Sequence, residues 1–71
     1  MTDERLLKVV GRRVRDLRQK AGLTQEDMMS YGFERRYYQR IESGTVNLSL
    51  KSLNKLAKAF RVSFSELMQI E

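Results

Sequence analysis

The sequence predicts an all-α fold of five short helices, and three observations carry that expectation. Proline is absent, and Leu, Lys, Arg, Glu and Gln, which lose little on entering a helix, are abundant. Apolar residues recur at intervals of three and four, the period of a helix with one buried face. Capping signatures and glycines divide the chain into segments of helical length. Alternating strand patterns, low-complexity segments and internal repeats are absent.

The first helix is expected over about 3–20. Leu7, Val10, Val14 and Leu17 form its apolar stripe, and Asp3 and Glu4 suit the positive end of the helix dipole. Gly22 supplies a C-terminal turn. Gly11, in mid-helix at a cost in propensity, points to the close approach of another backbone. Arg12, Arg13 and Arg15 are expected on wet faces. Thr24 to Asp27 (TQED) is a close variant of a capping box and starts a second helix over about 24–30, which Gly32 breaks. The third helix, about 34–43, is stopped by Gly44. Ser49 caps a fourth over about 49–60, with Leu50, Leu53, Leu56, Ala57 and Phe60 as its buried face. Ser63 to Glu66 (SFSE) is a capping box that opens a fifth, about 63–70. Tight connections between five such helices imply a single all-α domain spanning 1–71.

The inventory of side chains narrows the function. The 71 residues contain no Cys and no His, which removes disulfides, zinc fingers and the usual general base. With no clustered carboxylates or phosphate-binding glycine loop either, no catalytic set, metal site or cofactor site is expected. The net charge of +5, with 32% charged residues, favours a polyanionic partner such as nucleic acid. No apolar run approaches the ~18 residues of a membrane span, and the N-terminus lacks a signal-peptide core. A cytoplasmic location is the expectation.

The third helix concentrates the interest. At about 100° per residue, Tyr37, Tyr38 and Ile41 fall on one side of it. Arg36, Gln39 and Arg40 fall broadly on the other, with Arg35 at the flank. Phe33, Tyr38 and Ile41 read as core, and Tyr37 as the edge of the apolar face. The opposite side is either a solvated basic face or a surface that reads DNA. An α-helix fits the major groove of B-DNA, where arginine forks onto guanine O6 and N7 and glutamine onto adenine N6 and N7. Two short helices joined by a few residues containing Gly also match the helix-turn-helix unit, whose second helix enters that groove.

At this point a family resemblance becomes visible. Residues 18–25 (RQKAGLTQ) and 38–44 (YQRIESG) resemble the Cro and phage-repressor helix-turn-helix family. Residues 47–53 (NLSLKSL), 56–60 (LAKAF) and 62–67 (VSFSEL) continue the likeness over essentially the whole chain. The resemblance implies a five-helix, lambda-repressor-like domain that binds operator DNA, usually as a dimer. Carried over by position, Arg35, Arg36 and Arg40 would face bases, with Gln39 beside them. Gln25 is similar to the family's phosphate-contacting glutamine, at a helix N-terminus suited to phosphate. Ser43, Thr45 and Asn47 are similar to a second backbone clamp, assisted by Lys51. Ser43 and Thr45 also read as ordinary helix-end and turn residues. Arg18 and Glu42 match a family salt bridge between the first and third helices, and its role would be to fix the angle of the recognition helix. Three departures stand out. The segment from Thr24 to Ile41 is one residue short, which demands a tightened second helix or turn. Met29 replaces a small alanine, and Arg61 occupies a position where a glycine often ends the helix, which calls for a left-handed arginine.

The expected function is a sequence-specific, double-stranded-DNA-binding transcriptional regulator, whose homodimer presents two third helices to a palindromic operator. Phage repressors, restriction–modification controllers and some antitoxins have this shape. Leu67, Met68 and Ile70 form an apolar dimer seam or, alternatively, close the core of a monomer. A competing reading makes the chain a protein-interaction module, such as an antitoxin that masks a toxin.

Overall fold

The computed structural model describes residues 2–69. Helix α1 spans Asp3–Lys20, a 3-10 helix η1 spans Glu26–Tyr31, and α2 spans Arg35–Ser43. Helices α3 (Leu50–Phe60) and α4 (Phe64–Leu67) complete the order. Among the described residues there is no strand, and no helix is long and apolar enough to cross a membrane.

Local chemistry explains where each element begins. The Thr2, Ser49 and Ser63 hydroxyls accept from the backbone N–H groups of Arg5, Ser52 and Glu66, each three residues on. Such caps satisfy donors that a helix start leaves orphaned. Glu34 does the same for Tyr37 at the head of α2, through Oε1 at 2.8 Å. The TQED box is reciprocal: Asp27 N–H donates to Thr24 Oγ1 at 3.1 Å and Thr24 N–H to Asp27 Oδ2 at 2.8 Å.

The segment opened by that box is not an ordinary α-helix. Over Glu26–Tyr31 the chain is wound as a 3-10 helix, with about 3.0 residues per turn instead of 3.6. The segment is thus more tightly wound than an α-helix, in keeping with the expectation of a tightened second helix. It carries the chain through the second helical position while burying Met28 completely, and Met29 lies half-buried at the edge of the core.

The core matches most of the expected stripes, but Leu7 is only half-buried and stands outside it, and three further corrections follow. Val10, Val14 and Leu17 of α1 meet Met28, Phe33, Tyr38 and Ile41, and Leu53, Leu56, Ala57, Ala59, Phe60 and Leu67 close the other side. Leu50, expected on the buried face of α3, is 75% exposed. It has the right angular position, but as the first residue of the helix it overhangs the core. Arg13 is half-buried instead of wet: its Nη2 donates to the Glu66 carbonyl at 2.7 Å, tying α1 to α4. The last helix is a single turn ending at Leu67, not a segment running to residue 70. Arg61 does end α3 in the left-handed region, at φ 58°.

Helices α1 and α2 cross where side chains are missing. A Cβ on Gly11 would lie 2.5 Å from the Ile41 carbonyl oxygen and 2.7 Å from that of Glu42. At the stop of α2, a Cβ on Gly44 would lie 2.6 Å from Lys8 Cα. Backbone atoms cannot move aside as a side chain can, so Gly11→Ala forces the helices apart. Overpacking costs about 1–3 kcal/mol, which exceeds the roughly 1 kcal/mol that alanine gains in helix propensity. Urea denaturation of Gly11→Ala is therefore expected to show a loss of stability. A more stable variant would mean that the crossing is not held by this contact.

Candidate nucleic-acid interface

The interface is built outward from one buried carboxylate. Glu42, in the last turn of α2, accepts from Arg18 Nε at 2.6 Å and from Arg18 Nη2 at 3.3 Å. The Tyr38 hydroxyl donates to Oε2 at 2.5 Å and Gln25 Nε2 to Oε1 at 3.0 Å. Arg18 directs its remaining terminus, Nη1, to the Leu23 carbonyl at 2.8 Å. The two side chains of the pair are only 10% and 5% exposed. One carboxylate thus joins α1, the residue before η1, and α2.

The charges of this cluster are set by their partners. Burial pushes the Glu42 carboxyl up, but hydrogen bonds from Arg18, then Tyr38 and Gln25, outweigh it and hold the group below its usual 4.5. The Arg18 guanidinium is raised, first through its hydrogen bond with Glu42, against the cost of burial. Burial, and after it the hydrogen bond to Glu42, pushes the Tyr38 phenol far above its ordinary 10.0. The phenol is therefore always a donor, and Glu42 is an anion at neutral pH.

With Glu42 gripping it from behind, α2 turns its other side outward. Arg35, Arg36, Gln39 and Arg40 are all exposed. Among the described residues the ion pairs are Arg18–Glu42 and Arg35–Glu26, so Arg36 and Arg40 carry unpaired charge. Arg35 pairs with Glu26 of η1, both side chains being mostly in solvent. Gln25, Glu26, Met29, Arg35, Tyr38 and Gln39 together line a small notch between η1 and α2.

The expected phosphate contacts divide into two groups. Gln25 lies half-buried with one amide N–H committed to Glu42, which leaves the second for an outside acceptor. It shares an open groove with Arg15, Arg18, Gln39, Glu42 and Ser43. Arg15, expected only on a wet face, thus lines the groove as well. Its position three residues before Arg18 puts it on the same face of α1, and that spacing was the available signal. Farther along, the Ser43 hydroxyl donates to the Arg40 carbonyl at 3.1 Å and pairs with Thr45 Oγ1 at 2.9 Å. Ser43 therefore does serve as a helix-end residue, while Thr45, Asn47 and Lys51 are exposed. The Tyr37 hydroxyl donates to the Asn47 carbonyl at 3.2 Å and lies 3.2 Å from Ser52 Oγ, fixing the Asn47 loop against α2.

The C-terminal residues change character. Leu67 is 2% exposed and belongs to the core, so it closes the monomer and is not free for a seam. Met68 remains half-buried in an apolar groove with Leu6, Leu7, Val10, Leu48 and Leu53. Ile70 lies outside the described residues.

Fold and site together define a helix-turn-helix protein. Residues 14–67 match the family model described as Helix-turn-helix, and the chain belongs to this Cro- and phage-repressor-like family. It is similar to the restriction–modification controller protein C.AhdI from Aeromonas hydrophila, whose high-resolution crystal structure superposes with a TM-score of 0.80. Identity is 38%, over 90% of this chain and 97% of the other. Comparison with curated protein sequences returns no match. The chain is thus a DNA-binding transcriptional regulator and not an enzyme.

Because the carboxyl of Glu42 is held below its unfolded value, it stabilises the fold above about pH 4.5, and that contribution is lost as pH falls through the folded value. Thermal melting should show the wild type losing stability across this acidic window. Glu42→Gln should lack this component of the pH dependence and be less stable at neutral pH by roughly 3 kcal/mol, since Arg18 is left buried without its counter-charge. Parallel pH profiles for the two proteins would contradict this assignment.

Proposed function

We propose that the protein is a sequence-specific regulator that inserts α2 into the major groove of a palindromic operator as a homodimer, in the manner of a restriction–modification controller. The observation that carries this reading is the outward row of Arg36, Gln39 and Arg40 on a helix fixed from behind by Glu42. Arg36 and Arg40 offer forks to guanine, and Gln39 offers a paired donor and acceptor to adenine. Arg15, the free amide N–H of Gln25, Asn47, Thr45 and Lys51 flank that row and suit phosphates on either side. Contacts of this second kind add affinity and salt dependence without reading sequence.

The homodimer would place two α2 helices about 34 Å apart, one turn of B-DNA. With Leu67 committed to the core, the candidate seam is the groove of Leu6, Leu7, Leu48 and Met68. Leu6 lines that groove and is 43% exposed, which leaves it accessible to a second copy of the chain. In sedimentation, the wild type is expected as a dimer and Leu6→Glu as a folded monomer. A monomeric wild type, or a dimer indifferent to Leu6→Glu, removes this seam.

Selection from a random duplex pool at two salt concentrations tests the reading as a whole. A palindromic consensus, bound much more weakly at the higher salt, is the expected result. No enriched sequence at either salt would overturn it in favour of a protein-interaction module. Arg36→Ala should relax preference at a single position, costing about 1–3 kcal/mol there. Uniform weakening across all duplexes would instead make Arg36 a phosphate contact.

A further inference from the structure

The ion pair between η1 and α2 has no evident structural purpose. Arg35 Nη1 meets Glu26 Oε1 with the two side chains 61% and 65% exposed, and such a solvent-screened pair contributes little to folding. Its position is more telling than its strength. Arg35 is the first residue of α2, and Glu26 is the first of η1. Both line the same notch as Gln39, whose side chain belongs to the outward row. A carboxylate there is unfavourable to a polyanion, because it will lie close to the phosphate walls of any groove that α2 enters.

We propose that Glu26 is a positioning residue for specificity: it holds the Arg35 guanidinium toward a guanine and sharpens discrimination at that base pair, while lowering affinity for DNA in general. The proposal rests on the DNA-reading function above. An arginine at the start of a helix has a long, mobile side chain and two competing uses in a groove. It can fork onto a guanine, or swing to a phosphate, and only the first carries sequence information. Glu26 engages Nη1, leaving Nε and Nη2 to donate in parallel to O6 and N7. The same contact restrains the guanidinium from reaching the backbone. Exclusion of water on docking strengthens the pair, because charges interact more strongly as the surroundings become less polar. The pair that matters little in the free protein therefore matters most in the complex.

Removing the carboxylate should have two effects of opposite sign, and a merely structural role would produce neither. The wild type, Glu26→Ala, Arg35→Ala and the double variant are measured on the selected operator, on its single-base variants and on a random-sequence duplex. Arg35→Ala identifies the base pair concerned by relaxing one position. Glu26→Ala is expected to bind random duplex several-fold more tightly, as the loss of a negative charge near phosphates implies. It should also lose about tenfold in discrimination at that one base pair, on the scale of a bidentate contact. In the Arg35→Ala background, Glu26→Ala should cause no further loss of discrimination. The melting temperature of the Glu26→Ala protein should match that of the wild type. Retained discrimination in Glu26→Ala, a loss spread evenly over all positions, or an Arg35→Ala protein that relaxes no single position would each overturn the proposal while leaving the regulator reading intact. Failure of the wild type to enrich any sequence would overturn both together.

Discussion

The Glu42 carboxylate is the constraint on which the rest of the structure depends. Its two oxygens receive Arg18 from α1, Gln25 from the residue before η1 and Tyr38 from its own helix. A buried carboxylate with one of these donors missing would be costly, so the three elements are held to a single relative arrangement. Arg18 in turn secures the end of α1 through the Leu23 carbonyl. The whole basic surface is presented outward because this cluster fixes the inward side of the helix that carries it.

Charge in this protein therefore has two separate uses. Arg18 and Arg13 serve the structure, one bound to a carboxylate and one to the Glu66 carbonyl. Arg36, Arg40 and Lys51 remain exposed to solvent and to any partner. Composition sees only the sum, a net charge of +5. What distinguishes the two sets is depth, which is set by the packing of α1 against α2 and α4 and not by residue type.

That difference also explains how much was legible in the sequence. Caps, stripes and stops are local, so the helices at Asp3–Lys20, Arg35–Ser43 and Leu50–Phe60 could be read within a residue of their ends. The Arg18–Glu42 pair came through the family resemblance, since 24 residues separate its partners. The close approach at Gly11 was legible because a mid-helix glycine is otherwise a liability. Features set by tertiary packing were less accessible. The capping box at Thr24 marks where the second helical segment begins, but its 3-10 winding over Glu26–Tyr31 is seen only in the folded backbone. Leu50 and Leu67 illustrate the same limit from opposite sides, as periodicity gives the direction of a side chain and not whether the core extends that far. Glu26 and Tyr37 acquire their partners from other elements of the fold, which no local pattern encodes.

The glycine crossing has a mechanical consequence. Helix α2 is clamped near its C-terminal end, at Ile41, Glu42 and Gly44, whereas Arg35 and Arg36 sit at the opposite end. At 1.5 Å of rise per residue, the distance from Gly44 to Arg35 is about 13 Å along the axis. The helix is a lever with its fulcrum on α1. A pivot of only ~10° would sweep the arginine end through roughly 2 Å, a large fraction of a hydrogen-bond length. The placement of the arginine end thus depends in part on a contact made of two residues without side chains, Gly11 and Gly44, at the far end of α2.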